Sequence, residues 1–146
     1  MTGFKILSET MMVSPQITAQ DVATAQQQGV TLVINNRPDG EAPDQPAGEG
    51  IAQAARDLGM DYCAIPVTQA GFSVPQVEQM AQAMAETAGK TLAFCRSGTR
   101  STFLWALAEA KAGRSPQEIT AAAQQAGYDV GSVRATMDML ASQTGS

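Results

Sequence analysis

A cysteine that follows an apolar run is itself followed by residues suited to binding an anion. The segment reads Leu92-Ala93-Phe94-Cys95-Arg96-Ser97-Gly98-Thr99-Arg100-Ser101. Backbone N–H groups of a tight loop that enters a helix converge on one point, and the helix dipole adds positive potential there. Gly98 permits the turn, and Arg100 supplies a planar fork that fits tetrahedral oxyanions. The same field favours the thiolate of Cys95, so the segment predicts a nucleophilic cysteine in an anion-binding loop.

The rest of the composition narrows the chemistry. The chain has two cysteines and no histidine. Ser-His-Asp and Cys-His catalysis and histidine-bound zinc are therefore excluded, and two cysteines do not complete a four-cysteine zinc site. We expect no metal and no cofactor. The alternative for Cys95 is a buried, inert thiol; Cys63 is expected to be an apolar strand residue, with a resolving thiol for Cys95 as the alternative.

A second polar segment, Asn35-Asn36-Arg37-Pro38-Asp39-Gly40-Glu41, follows another apolar strand. Its composition is typical of turns, and Pro-Asp-Gly alone would explain it. A functional interpretation is also open, because the segment leaves the sheet at the edge where Cys95 lies. In that interpretation Arg37 anchors the substrate or the loop, and Asp39 orients Arg100 or acts as an acid.

Alternating apolar and polar segments predict the elements that position these loops. Strands are expected over 4–7, 11–13, 30–34, 62–67 and 91–94. Helices are expected between Thr18 and Gly29, over 51–58, 74–87 and 101–112, and after the capping sequence that starts at Ser115. Strands that alternate with helices imply crossover connections, hence an α/β fold with a central, mostly parallel sheet flanked by helices. Ligands of such sheets bind beyond the carboxyl ends of the strands.

The loop from Cys95 to Ser101 resembles the active-site loop of single-domain rhodaneses, in which a cysteine carries a persulfide. The whole chain resembles another family, the phosphatase-like domain of beta-lactamase hydrolase-like proteins (DUF442). The matching segments are VSPQIT from Val13, VINNRPDGE from Val33, Tyr-x-x-Ile-Pro-Val from Tyr62 and CRSGTRS from Cys95. The resemblance implies a protein tyrosine phosphatase-like fold and either phosphatase or sulfurtransferase activity.

Two departures from the phosphatase pattern favour sulfur transfer. Phosphatases of this fold have five residues between the cysteine and the arginine, whereas four stand between Cys95 and Arg100. Phosphatases also use an acid to protonate the leaving group, and Thr68-Gln69-Ala70-Gly71 offers none, although Asp39 or Glu41 could reach in from the other loop.

We therefore predict first a sulfurtransferase that works through a Cys95 persulfide, second a phosphatase that works through phosphocysteine, and third a non-catalytic module that binds a phosphorylated or anionic partner. The expected catalytic residues are Cys95, Arg100 and Asp39. The expected anion-binding residues are Arg96, Ser97, Gly98, Thr99, Ser101 and Arg37.

Charge and length set the expectations for partners. The 146 residues suit one domain over 1–146, and the net charge of -5 argues against a general nucleic-acid binder or a polybasic membrane patch. No apolar run approaches the roughly 20 residues of a membrane helix, and the start does not resemble a signal peptide. We expect a cytoplasmic protein acting on a small anion (persulfide, thiosulfate or phosphate ester), with its oligomeric state left open.

Overall fold

The computed structural model describes residues 3–68 and 71–144. Over these ranges five strands form one sheet: β1 (Lys5–Ser8), β2 (Met11–Ser14), β3 (Val30–Asn35), β4 (Asp61–Ala64) and β5 (Lys90–Phe94). Their spatial order is β1-β2-β5-β3-β4, with β1 and β2 antiparallel and every other pair parallel. The predicted α/β fold with a mostly parallel sheet is confirmed.

Helices cover both faces of the sheet. They are α1 (Ala19–Gln27), α2 (Gly48–Asp57), α3 (Val74–Glu86), α4 (Thr99–Lys111), α5 (Pro116–Gln125) and α6 (Arg134–Thr144), with a 3-10 turn at Gly131–Val133. Thr18 and Ser73 cap α1 and α3 with reciprocal side-chain and backbone hydrogen bonds. In the described part of the chain, no helix has the length and apolar character needed to cross a membrane.

Two apolar cores lie on opposite faces of the sheet because successive strand residues point to opposite sides. On one face Leu32 and Ile34 of β3 pack with Trp105 in a core that α3 to α6 complete. On the other face Val33 packs with Phe94 in a core that α1 and α2 complete. Trp105 of α4 has no exposed surface and packs that helix against the sheet.

Three boundaries of the predicted elements differ by two residues or more from the sequence-based prediction. β4 ends at Ala64 rather than at residue 67, although Ile65 and Val67 stay buried and donate to the backbone carbonyls of Asn35 and Asn36. Pro66 separates these two bonds and has no N–H of its own. α2 begins at Gly48 instead of 51, and α4 at Thr99 instead of 101. Both earlier starts have causes in the site described next.

Candidate active site

The loop after β5 is held at its base by the two strands beside it. The backbone N–H of Cys95 donates to the Ser14 carbonyl of β2 at 3.3 Å, and the carbonyl of Phe94 accepts from Asn36 at 2.8 Å. The carbonyl of Arg96 accepts from the N–H of Gln16 at 3.3 Å. The carboxyl ends of β2, β3 and β5 therefore fix the position of the thiol.

Cys95 lies at the bottom of this loop with no exposed surface. Its Sγ accepts the backbone N–H of Gly98 at 3.1 Å. Gly98 is the N-cap of α4 and has φ of +89°, a conformation that side chains of L residues rarely adopt. The turn allows α4 to start immediately, so Thr99 and Arg100 belong to its first turn. A thiolate here would face a backbone N–H and the positive end of a 13-residue helix.

Arg100 is fixed by acceptors on one edge of its guanidinium. Nη1 donates to Glu41 Oε2 at 2.6 Å and to the Val67 carbonyl at 2.6 Å, and Nη2 donates to Glu41 Oε1 at 2.9 Å. These contacts use three of the five N–H groups of the guanidinium. The two that they do not use, the Nε–H and the second N–H of Nη2, lie together on the other edge. Hydrogen bonding to Glu41 raises the pKa of Arg100, and so does the negative charge of nearby Cys95. The guanidinium thus lies beside the thiol with its orientation set by Glu41.

Glu41 joins the two predicted arginines. Its Oε1 also accepts from Arg37 Nε at 2.9 Å, and Arg37 Nη1 donates to Gln16 Oε1 at 3.0 Å. The Arg37 side chain is only 5% exposed. Its fixed position at the end of β3 makes it a loop anchor. The hydrogen bond from Arg100 is the main cause that lowers the pKa of Glu41 to about 2. Glu41 is therefore a carboxylate at neutral pH and has no proton to donate to a leaving group.

Asp39 occupies a different place from the one predicted. Its Oδ1 accepts the backbone N–H of Gly48 at 2.8 Å, at the first residue of α2, where the N-cap residue Ala47 has no side-chain acceptor. The carboxylate that orients Arg100 is that of Glu41, so this role of Asp39 is corrected. Asp39 instead caps α2 from a distance, which explains why the helix begins three residues early.

The other predicted residues surround the thiol in different ways. Arg96 and Ser97 are exposed, and Ser97 Oγ donates to Thr99 Oγ1 at 3.0 Å. Ser101 is fully buried in the first turn of α4, and its hydroxyl has no hydrogen-bond partner among the described residues. Arg96, Ser97 and Gly98 form the turn between β5 and α4, and Thr99 and Ser101 belong to the first turn of that helix.

The family of the chain follows from its sequence. The model for "Beta-lactamase hydrolase-like protein, phosphatase-like domain" matches residues 3–112. The chain belongs to this family. The matched segment contains both loops of the site and ends directly after α4. The predicted membership of this phosphatase-like domain family is thereby confirmed.

Relatives and solved structures agree with the family assignment. The beta-lactamase hydrolase-like protein of Xylella fastidiosa (strain 9a5c) is 32% identical over 139 residues, which are 94% of this chain and 32% of that protein. The chain spans between a quarter and a third of the length of the curated relatives it matches. A candidate phosphatase from Neisseria meningitidis z2491 has a TM-score of 0.82 at 32% identity, over 96% of this chain and 99% of that one.

The fold extends to more distant phosphatases. PTPMT1, solved in complex with PI(5)P, matches with a TM-score of 0.71 at 11% identity, over 97% of this chain and 98% of that one. Identity this low shows the fold alone. The phosphatase-like domain therefore has the protein tyrosine phosphatase-like fold that the resemblance implied.

The remaining sequence candidates lie on β4, which β3 separates from β5, or outside the described ranges. Cys63 is half-buried in β4, and burial raises its pKa. Of the segment examined for a leaving-group acid, Gln69 and Ala70 fall outside the described residues. Within the described ranges, no group of three or more His, Cys, Asp and Glu side chains is arranged to hold a metal ion.

Sequence reasoning missed three contacts of this phosphatase-like site. The sequence suggests Glu41 as an acid and does not indicate that it binds Arg100, although its spacing of four residues from Arg37 is a signal for an ion pair. Gln16 lies in the VSPQIT segment without a motif that marks it as a partner of Arg37. Tyr128 OH donates to the Ser97 carbonyl at 3.0 Å, yet this tyrosine lies beyond the matched segment.

Proposed function

We propose that this domain is a cysteine-dependent phosphatase that hydrolyses phosphate monoesters through a phosphocysteine on Cys95. The supporting observation is the pairing of the buried Cys95 thiol, at the positive end of α4, with an Arg100 fork that Glu41 holds beside it. Membership of a phosphatase-like family and the shared fold of phosphatases add support. In a chain of net charge -5, two arginines that share one carboxylate are suited to binding one local anion.

The proposed reaction has two displacement steps. The Cys95 thiolate attacks phosphorus, the ester P–O bond breaks, and the leaving oxygen takes the electron pair and then a proton from water. Water next attacks the phosphocysteine, the S–P bond breaks, and the thiolate is regenerated with release of inorganic phosphate and a proton. Arg100 and the N–H groups of the loop neutralise the equatorial oxygens in both steps.

The ionised Glu41 and the helix-bound Asp39 limit the class of phosphate esters that this site can hydrolyse. Glu41 is ionised and bound to two arginines, and Asp39 is bound to the start of α2. With neither placed to donate a proton, leaving groups of low pKa are strongly favoured. The proposed substrate class is therefore aryl phosphates and other phosphate compounds with acidic leaving groups, and alkyl phosphates are expected to be poor substrates.

A leaving-group series tests this proposal. Hydrolysis of aryl phosphates that differ in phenol pKa is measured beside an alkyl phosphate, with Cys95→Ser as the negative control and Cys63→Ser as the matched control. We expect turnover to fall steeply as the phenol pKa rises, to vanish in Cys95→Ser and to persist in Cys63→Ser. Turnover of aryl phosphates that survives in Cys95→Ser would contradict the proposal.

A second candidate function is sulfur transfer. It is favoured by the four residues between Cys95 and Arg100, as in the rhodanese loop, and by the ionised state of Glu41, which leaves the thiol without a placed acid among the described residues of the two loops. The Cys95 thiolate would attack the outer sulfur of thiosulfate, whose S–S bond breaks with release of sulfite. An acceptor thiolate would then attack the outer sulfur of the Cys95 persulfide and regenerate Cys95. Sulfite and thiolates leave as anions, so neither step needs an acid.

Mass spectrometry separates the two candidates. The protein is incubated with thiosulfate or with an aryl phosphate, quenched with acid and digested. Addition of one sulfur atom to Cys95 with no aryl-phosphate hydrolysis would replace the first proposal by the second. A trapped phosphoryl group on Cys95 without sulfur addition would retain the first.

A further inference from the structure

One peptide bond of the active-site loop is held from both sides. Its carbonyl, that of Ser97, accepts the Tyr128 hydroxyl at 3.0 Å. Its N–H, that of Gly98, donates to Cys95 Sγ at 3.1 Å. The two groups of a trans peptide point in opposite directions, so a donor that fixes the carbonyl on the outer side also fixes the N–H toward the sulfur.

Tyr128 reaches the loop because of the way α5 ends. The backbone N–H of Tyr128 donates to the Ala123 carbonyl at 2.9 Å, and Gly127 before it has φ of +97°. This left-handed glycine turns the chain back at the end of the helix. The ring is half-buried against the core formed with α4 and α6.

The hydroxyl of Tyr128 also packs closely on the loop. A Cβ placed on Gly98 would collide with that hydroxyl and lie 3.0 Å from Cζ of the ring. Gly98 therefore serves two needs, a positive φ and room for the tyrosine. Contact of this kind leaves the peptide little space to rotate.

We propose that Tyr128 is a positioning residue that holds the Ser97–Gly98 peptide with its N–H toward Cys95 and thereby stabilises the thiolate. A rotated peptide would present its carbonyl oxygen to the sulfur, which would destabilise the negative charge. The hydrogen bond to the carbonyl also polarises the peptide and strengthens its N–H as a donor.

The electrostatic surroundings of the tyrosine agree with this role. Burial, followed by the negative charge of Cys95, raises the pKa of Tyr128. The phenol is therefore a protonated donor throughout the neutral range. The catalytic consequence rests on the proposed function, whereas the effect on the thiolate does not.

The test is the pH dependence of cysteine alkylation in Tyr128→Phe. Iodoacetamide labelling rates at Cys95 and Cys63 are read separately by mass spectrometry. We expect the midpoint for Cys95 to move upward by about 0.5–1 unit, which is a roughly 3- to 10-fold lower rate below both midpoints. The Cys63 profile is expected to stay unchanged. Because labelling needs no substrate, the result is independent of the phosphate or sulfur chemistry assigned to the site.

A matched control and a second probe complete the design. Tyr62→Phe also removes a half-buried tyrosine hydroxyl, one that accepts from Asn35 at 3.0 Å, and should leave the Cys95 midpoint unmoved. If the circular dichroism spectrum shows that Tyr128→Phe does not fold, the pH profile of Cys95 alkylation is measured instead on protein that contains 3-fluorotyrosine. The fluorinated hydroxyl is a stronger hydrogen-bond donor, so the Cys95 midpoint should move downward. A Cys95 midpoint unchanged in a folded Tyr128→Phe variant, or unchanged in the fluorinated protein, would overturn the proposal.

Discussion

Replacing Glu41 by Gln removes the only negative charge of a three-residue cluster while keeping the size of the side chain. In the wild type its two oxygens accept from Arg100 and Arg37 at 2.6–2.9 Å. The amide can accept through one atom only, and its NH₂ group faces a guanidinium donor. Both the stability of the fold and the orientation of Arg100 should therefore respond.

The magnitude follows from the pKa of Glu41, which lies at about 2 instead of 4.5. At about 1.4 kcal/mol per unit this corresponds to an upper limit of about 3.5 kcal/mol. The side chain is 24% exposed, and water screens part of the interaction. We therefore expect the substitution to lower the free energy of unfolding by about 1–2 kcal/mol at pH 7.

The sign of the pH dependence is fixed by the direction of the shift. A carboxyl group with a folded-state pKa below its unfolded value contributes stability that is complete above the unfolded pKa and is lost as the pH falls through the folded pKa. The difference between Glu41→Gln and wild type should therefore be constant above about pH 5 and shrink by more than half at about pH 3.

Urea unfolding at pH 7 and pH 3 measures this difference. The matched control is Glu49→Gln, which breaks the well-exposed pair with Arg56 and should change the free energy of unfolding by less than about 0.5 kcal/mol. A Glu41→Gln difference that is absent at pH 7, or that is as large at pH 3, would refute the reasoning. In Glu41→Gln the Arg100 guanidinium loses its fixed orientation, so kcat/KM for the anionic substrate should fall about tenfold.

Three further predictions concern single residues of the site. Arg100→Lys keeps the charge but not the bidentate geometry, so turnover should fall at least about 100-fold with little change in the circular dichroism melt; near wild-type turnover would show that charge suffices. Asp39→Ala removes the distant cap of α2, so urea unfolding should show a loss of about 1 kcal/mol, while turnover of the aryl phosphates with the highest phenol pKa stays within about twofold; a collapse of their turnover would restore Asp39 as an acid. Gly98→Ala forces a side chain into a positive φ and into Tyr128, so the free energy of unfolding should fall by about 2 kcal/mol or more; a variant as stable as wild type would contradict the packing described for this turn.

Local patterns predicted the elements and the thiol because both depend on short-range chemistry. The apolar run before Cys95 and the Gly98 turn indicate a strand, a loop and a helix from ten neighbouring residues. The parallel sheet followed from the alternation of strands and helices. Both features are set by periodicity and by backbone conformation, which are readable without distant contacts.

The partners of Arg100 could not be predicted in the same way. Glu41 and Asp39 lie two residues apart in one loop, and both are carboxylates. Which of them meets Arg100 depends on where α2 begins, since the start of that helix binds Asp39. Tyr128 reaches the site only through the turn after α5, a placement decided by packing across the sheet rather than by any motif.

The sheet order bears on how the chain is completed during synthesis. β2 and β3 are made early but do not pair with each other, because β5 lies between them and hydrogen-bonds to both. Until residues 90–94 have been synthesised, β2 and β3 each have one edge without a hydrogen-bonding partner. Unpaired strand edges favour association with other chains. The same strand that closes the sheet ends at Cys95. A nascent chain that stops before β5 therefore has neither a complete sheet nor the nucleophile, so Cys95 is added only when the strand that completes the sheet has been made.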